Sequence, residues 1–116
     1  MAILRAGDIL GVCPKIEKVS VPEWGGEVCI RELLVDQREW FESWQLAGGD
    51  SPERFRGIRA RIAAFCLCDE TGQRLFADDD WQKLGNLPAR GLDKVFEAIL
   101  SQNGLSGSSL KELEKN

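Results

Sequence analysis

A turn-forming segment at residues 22–26, Pro-Glu-Trp-Gly-Gly, lies between two short stretches in which polar and apolar residues alternate. Proline and glycine interrupt regular structure, and glycine readily adopts the positive φ values that tight turns between antiparallel strands require. The flanking stretches are residues 15–21 and 27–31, and Val28 and Ile30 share one face of the second. This pattern predicts an antiparallel β-hairpin near the N-terminus.

The first predicted strand departs from strict alternation, because Ile16, Val19 and Val21 do not fall on one face. A β-bulge or an early end of the strand would produce such a slip. Residues 1–14, which precede it, show a weak pattern of small and apolar residues broken by two glycines. We therefore predict a loosely attached N-terminal arm at 1–14 that carries a short helix or strand.

Two helices are predicted after the hairpin. Asp36 and Glu39 have the spacing of a capping box, three aromatic residues follow them, and glycines at 48–49 end the pattern. A second helix is predicted to begin at 51–53, where serine occupies the cap and proline the first turn. The apolar stripe of this second helix consists of Phe55, Ile58, Ile62 and Phe65.

The second half of the chain continues with a turn and further helices. Residues 66–76 fit either a short hairpin or a tight loop. Three aspartates at 78–80 favour a helix N-terminus, where the helix dipole stabilises negative charge. Pro88 begins the last helix and residues 103–104, Asn-Gly, end it. The apolar residues at helical spacing are Trp81 and Leu84 in the first of these helices and Leu92, Val95, Phe96, Ile99 and Leu100 in the second.

The order of these elements predicts the fold class. We expect an α+β fold, in which an N-terminal antiparallel β-hairpin is followed by a cluster of packed helices. A chain of 116 residues accommodates one such domain, which we place at 15–105. Residues 106–116 are predicted to form a flexible joint and a short helical tail.

The charge of the chain limits its partners. The formal net charge is -4, whereas a nucleic-acid or anionic-membrane surface attracts a basic face. The arginines at 54, 56, 59 and 61 straddle an apolar stripe, so we expect them to solvate their helix and to pair with the acidic segment at 69–80. No apolar run approaches the ~20 residues of a membrane span, and none follows the N-terminus as in a signal peptide. We therefore expect a cytoplasmic protein that binds neither nucleic acid nor membrane.

The inventory of reactive side chains argues against catalysis. The chain has no histidine, so the usual serine–histidine and cysteine–histidine pairs cannot form. Cys66 and Cys68 lack the paired spacing of a zinc site, and an EF-hand loop counted from Asp69 has Arg74 at its glycine position. We predict no catalytic residue, no metal and no cofactor. An enzyme that uses Cys66, Cys68 or the carboxylates at 78–80 remains the alternative.

Several short motifs resemble those of a known family. Residues 21–25, Val-Pro-Glu-Trp-Gly, lead to Arg-Glu-Leu at 31–33. Residues 69–76 have the pattern aspartate-x-x-glycine-x-x-leucine-phenylalanine and precede two aspartates at 79–80. Together with residues 84–105 as a closing helix, these motifs resemble the tail assembly chaperones of long-tailed phages and prophages.

The resemblance implies a specific non-enzymatic role. It implies a protein that binds the tape measure protein, keeps it soluble and helps to recruit tail tube subunits during tail assembly. Such a protein self-associates, acts in the cytoplasm of the bacterial host and is absent from the mature virion. The alternative within phage biology is a structural minor tail protein or a head-tail completion protein.

Aromatic side chains are the candidate contacts for that partner. Four tryptophans are many for a domain of this size, and any that stay on the surface would form an apolar patch. An acidic, aromatic-rich domain can cover the apolar stripe of an amphipathic helix. The candidate partner-binding residues are Trp40, Phe41, Trp44, Phe76 and Trp81.

Overall fold

The computed structural model describes residues 2–47 and 56–105. Five α-helices and three β-strands lie in this part of the chain, together with 3-10 helices at Pro22–Trp24 and Asp78–Asp80. In chain order the elements are α1 (Ala6–Leu10), β1 (Ile16–Val21), β2 (Gly26–Arg31), α2 (Val35–Ala47), α3 (Ile58–Cys66), β3 (Leu67–Cys68), α4 (Trp81–Gly85) and α5 (Ala89–Gln102).

The predicted hairpin is confirmed. β1 and β2 pair in an unbroken antiparallel register that runs from Ile16 opposite Arg31 to Val21 opposite Gly26. The irregular alternation of β1 therefore reflects neither a bulge nor an early strand end. Ile16 instead belongs to the opposite face of the sheet, where its side chain lies against Gly72.

A third strand extends the sheet in the order β1-β2-β3. Leu67 and Cys68 of β3 pair with Ile30 and Cys29 of β2, and Cys68 forms a bridge with Arg74. Of the two alternatives for residues 66–76, the structure therefore contains the short hairpin. The sequence predicted β2 as a hairpin strand but not its central position in the sheet, because its second partner, β3, has only two residues.

The start of α2 differs from the predicted capping box. The backbone N–H of Leu34 donates to Gln37 Oε1 at 2.9 Å, and the helix begins at Val35. The cap thus lies before the predicted Asp36, and Glu39 does not serve it. The predicted helix start at 51–53 lies outside the described residues, as do Phe55 and the predicted tail at 106–116.

Helix α3 is buried on most of its circumference rather than along one stripe. Ile62 is fully buried as predicted, but Ile58 and Phe65 are only partly buried. The difference arises because α3 is enclosed by several neighbours, namely α2, α4, α5 and the 3-10 helix Asp78–Asp80. Small residues make up much of its buried surface and permit this close packing: Ala60, Ala63, Ala64 and Cys66.

The last two helices agree with the sequence pattern. Leu84 is the buried residue of α4. Helix α5 ends at Gln102, and Gly104 has a φ of +72° just beyond it, as expected for a glycine-terminated helix. The five apolar residues predicted for the buried face of α5 are all buried: Leu92, Val95, Phe96, Ile99 and Leu100.

The N-terminal arm carries a short helix. Helix α1 has five residues, and each of them is exposed to solvent. Just after the arm, the Lys15 backbone carbonyl accepts hydrogen bonds from the Glu32 N–H and the Gln102 side chain. The division of the chain at residues 14 and 105 stays a prediction.

The turn after β3 predicts a specific pH dependence of stability. Asp69 Oδ1 accepts hydrogen bonds from the Thr71 hydroxyl at 2.6 Å and the Gln73 N–H at 3.0 Å, which lower the pKa of this carboxyl below its ordinary 3.8. Its stabilising contribution is therefore present above pH 3.8 and is lost as the pH falls through the lower folded-state pKa.

We expect Asp69→Asn to weaken the loss of stability on acidification. Asparagine still accepts these hydrogen bonds through its oxygen but does not titrate, so the melting temperature should fall less steeply with pH in the acid range than for the wild type. Thermal melts followed by circular dichroism measure this slope. The matched control is Glu70→Gln, which should retain the wild-type slope. Equal slopes for the wild type and Asp69→Asn would contradict the assigned hydrogen bonds.

Candidate partner-binding groove

An apolar groove of about 390 Å³ opens between the sheet, α4 and the connection from α4 to α5. Leu75 and Leu87 on its sides are 55% and 41% exposed, whereas Leu67 and Leu84 on its floor are buried. None of the lining residues is ionisable. We call this feature the apolar groove; its lining residues are Trp24, Val28, Leu67, Leu75, Phe76, Leu84 and Leu87.

Trp24 lines the groove because α5 has a glycine, Gly91, where its indole ring packs. It ends the 3-10 helix Pro22–Trp24 in the β1–β2 connection, and its indole lies directly on Gly91 of α5. A Cβ atom at position 91 would overlap the indole ring. Nearby, Lys94 Nζ and Glu23 Oε1 form an ion pair at 2.9 Å that joins the same two elements. The hydrogen bond from Lys94 lowers the pKa of Glu23.

The hairpin after α3 positions the second side of the groove. The Leu75 N–H donates to the Leu67 carbonyl at 3.1 Å, which holds Leu75 beside β3. The preceding Arg74 donates through Nη2 to the Ala64 carbonyl at 2.9 Å and pairs with Asp78 at 2.7 Å. These contacts fix the backbone on both sides of Leu75 and Phe76, so the two apolar side chains project into the groove from an anchored segment.

The connection from α4 to α5 closes the remaining side. The Leu87 N–H donates to the Leu84 carbonyl at 3.1 Å, which places the exposed Leu87 next to the buried Leu84. Beyond Leu87 and Trp24, a second depression of about 420 Å³ continues the groove along residues 88–91. The two depressions share Trp24 and Leu87, so together they form one elongated surface.

The five aromatic residues predicted from the sequence do not form one surface. Phe76 lines the apolar groove. Phe41 is fully buried, so its ring belongs to the core. Trp44 is half-buried and stacks on Phe41 with a centroid distance of 5.5 Å. Of the five, Phe76 lines the apolar groove, whereas Trp81 lines a separate depression of about 490 Å³ among polar neighbours that include Arg56.

The other two candidates, Trp40 and Trp81, are half-buried around an arginine. The Arg61 guanidinium carbon lies 4.2 Å from the ring centroid of Trp81 and 5.9 Å from that of Trp40. Trp40 also makes an edge contact with Phe65 at 5.7 Å. Arg61 is thus engaged by aromatic rings, whereas we had expected the arginines of this helix to pair with the acidic segment. On the same helix, Arg59 lies 3.6 Å from Asp93 of α5 instead.

Two thiols and one carboxylate among the groups considered for catalysis have pKa values shifted by their surroundings. Burial raises the pKa of Cys66 to about 12, and burial also raises the pKa of Cys68, so the nucleophilic thiolate is disfavoured at neutral pH. The Asp80 carboxylate accepts the Ala77 N–H at 2.9 Å, which lowers its pKa and caps the following turn. Among the described residues, no group of three or more potential ligand side chains could hold a metal ion.

The sequence did not identify most of the groove. Trp24, Val28, Leu75 and Leu87 come from a turn, a strand, a hairpin and a loop, and no periodic pattern joins them. The available signal was local: Leu75 and Phe76 are two adjacent apolar residues in a short polar segment, where a core explanation for both is weak.

None of the helices in the described part of the chain is long and apolar enough to cross a membrane.

These features define an α+β domain with an uncharged apolar groove that is open to solvent. A sequence model for phage tail assembly chaperones matches residues 14–105, and this chain belongs to that family. The family has a non-enzymatic role and implies phage tail proteins as partners.

A solved structure has the same fold. The tail assembly chaperone of bacteriophage HK97 is similar, with a TM-score of 0.57 and 21% sequence identity over 88% of this chain and 86% of that chain. At this identity the likeness establishes the fold alone, and it agrees with the predicted α+β class. Among curated proteins, no sequence matches this chain significantly.

We expect Gly91→Ala to disturb the groove through Trp24. The added methyl group overlaps the indole, so either the ring leaves its seat or α5 shifts, at a cost of about 1–3 kcal/mol in unfolding free energy. Chemical denaturation measures the loss, and the indole N–H resonances of the four tryptophans report which ring moves. The control is Gly26→Ala, where a Cβ has open space. An unchanged Trp24 resonance in Gly91→Ala would exclude the close contact.

We expect Phe41→Ala to act on stability. Removing a fully buried phenylalanine should lower the unfolding free energy by about 3–5 kcal/mol. Glu39→Ala, an exposed change on the same helix, should stay within about 0.5 kcal/mol of the wild type. Urea denaturation of both variants tests this assignment, which fails if the two variants are equally stable.

Proposed function

We propose that this chain binds the tape measure protein of a phage tail through the apolar groove and keeps that protein soluble during tail assembly. The proposal further includes recruitment of tail tube subunits, action in the cytoplasm of the bacterial host, absence from the mature virion and the lack of any catalytic activity. The observation that carries it is the accessible, uncharged groove on a member of the tail assembly chaperone family.

The chemistry of the groove favours an apolar segment as ligand. A partner side chain the size of leucine gains about 1.5–3 kcal/mol when it is fully buried. Amphipathic helices bind in such grooves by inserting apolar residues that recur every three or four positions. Since the lining is uncharged, the groove itself offers no salt bridge that would select one partner sequence, which suits a protein that must cover many similar apolar stripes.

The charge outside the groove supports solubilisation. The chain has a formal net charge of -4, and the acidic side chains near the groove include Glu23 and Asp78. A partner covered by such domains would exchange apolar surface for acidic surface. Like charges on neighbouring copies would then oppose further aggregation of the covered partner.

Co-expression with the tape measure protein tests the proposal. The variant Leu75→Asp/Leu87→Asp places two charges in the groove at positions that are already exposed, so the fold should persist. We expect at least a tenfold loss of soluble tape measure protein, because each aspartate must be desolvated by the partner. Leu34→Asp/Val35→Asp adds the same charges at exposed positions outside the groove and should leave solubilisation unchanged.

Two further measurements separate the alternatives. If Leu75→Asp/Leu87→Asp solubilises the partner as well as the wild type, the groove is not the contact. In that case a Trp40→Ala/Trp44→Ala/Trp81→Ala variant would test the remaining predicted residues. Mass spectrometry of purified particles distinguishes a chaperone, which should be missing, from a structural minor tail or head-tail completion protein, which must be present.

A further inference from the structure

Three of the four cysteines lie where the end of α3 meets the sheet. Cys66 is the last residue of α3, Cys68 ends β3, and Cys29 lies in β2. The fourth, Cys13, is exposed in the N-terminal arm, and all four are free thiols. The chemistry open to the three clustered thiols depends on which of them face each other.

Cys29 and Cys68 face each other directly across two strands. They are Cα partners in the antiparallel register of β2 and β3. Directly opposed residues of antiparallel strands have Cα atoms about 4.5–5.5 Å apart and side chains on the same face of the sheet. Disulfides span Cα separations of about 4.4–6.8 Å. The pair can therefore be bridged without a change of strand register.

Cys66 is a poorer partner for Cys29. The register pairs Cys29 with Cys68 and Ile30 with Leu67, so Cys66 lies beyond the last of these pairs. Strand β2 carries no further cysteine that could face it. Cys66 is also fully buried, which keeps small oxidants away from its sulfur.

The two facing thiols differ in their access to solvent. Cys29 is half-buried, whereas Cys68 is only 2% exposed, so an oxidant meets Cys29 first. Burial raises the pKa of Cys68, and the nearby positive charge of Arg31 opposes this rise. The Arg31 guanidinium is held there by a hydrogen bond from Nη1 to the Gly72 carbonyl at 3.4 Å. A cation beside a thiol favours the thiolate, which is the form that attacks a disulfide.

The backbone hydrogen bonds of β3 indicate that a bridge at this position is easily reduced. The Leu67 carbonyl accepts the Leu75 N–H, and the Asp69 N–H likewise points away from β2. Since backbone groups alternate in direction along a strand, those of Cys68 point toward β2. Cys29 and Cys68 are thus a hydrogen-bonded pair, the wider of the two antiparallel kinds. A bridge must draw their side chains together, and strained disulfides are the more readily reduced ones.

We propose that Cys29 and Cys68 are a redox-sensitive pair that forms a reversible disulfide between β2 and β3. The thiolate of Cys29 attacks a small-molecule disulfide such as oxidised glutathione, which leaves a mixed disulfide on Cys29 and releases one glutathione thiolate. Cys68 then loses its proton to water, attacks the Cys29 sulfur and displaces the second glutathione. Two protein thiols are oxidised, and one glutathione disulfide is reduced to two thiols that take up the two protons.

The disulfide would act on stability and on one side of the apolar groove. A crosslink from residue 29 to residue 68 restricts the unfolded chain and so favours the folded state. Strand β3 also carries Leu67 of the groove floor and leads into Leu75 and Phe76, so oxidation holds this side of the groove on the sheet. Any effect on tape measure binding rests on the proposed function, whereas the disulfide itself does not.

Oxidation of the Cys13→Ser variant by oxidised glutathione tests the pair, since the exposed Cys13 could otherwise crosslink separate copies. Alkylation of the remaining thiols under denaturing conditions, followed by peptide mass spectrometry, should find Cys29 joined to Cys68 and Cys66 alkylated. The oxidised protein should melt at least about 5 °C above the reduced one. Treatment with a thiol reductant should return the melting temperature to its starting value.

The matched control is Cys13→Ser/Cys29→Ser, which changes a half-buried position and keeps Cys66 and Cys68. Oxidised glutathione should leave its melting temperature unchanged. Three results would overturn the proposal: a mixed disulfide that persists on Cys29 without a bridge, a bridge that includes Cys66, or equal melting temperatures for the oxidised and reduced protein. All three are measured on this chain alone. Tape measure binding is measured separately by co-expression, so the failure of either proposal leaves the other undecided by that result.

Discussion

The enclosure of helix α3 is the constraint on which the rest of the structure depends. Ala60, Ala63 and Ala64 are buried on this helix, and their small side chains let α2, α4 and α5 pack against it together. A larger residue at any of these positions would push a neighbour away, since protein interiors have few voids. The third strand of the sheet depends on the same arrangement. β3 begins directly where α3 ends, so the position of α3 places β3 beside β2.

The groove is a consequence of this packing rather than an independent feature. Arg74 binds the Ala64 carbonyl near the end of α3 and so fixes the hairpin that carries Leu75 and Phe76. On the opposite side, Gly91 admits Trp24 to the surface of α5. Both sides of the groove are thus anchored to the helical core, which means that an apolar ligand meets a preformed surface and loses less entropy on binding.

Local sequence patterns anticipated the elements whose own residues specify them. The hairpin around residues 22–26, the buried face of α5 and its glycine-terminated end were all found where the patterns placed them. The family resemblance was also confirmed, because its motifs lie within the matched residues 14–105. Two predictions were wrong for different reasons. Gln37 rather than Glu39 serves the cap of α2, because the local capping contact forms two residues earlier than the pattern placed it. Long-range packing puts Arg61 against the rings of Trp81 and Trp40 rather than beside carboxylates.

The sequence by itself determined the fold class, the family and the absence of histidine chemistry, since these depend on composition, short-range periodicity and motifs. Only the tertiary structure decided which aromatic side chains are accessible. Phe41 and Trp44 lie three residues apart on one helix, yet the first is fully buried and the second is half-buried. The groove was decided in the same way, because its residues come from a turn, two strand regions, a helix and a loop that approach one another only when α3 brings the sheet and the last two helices together.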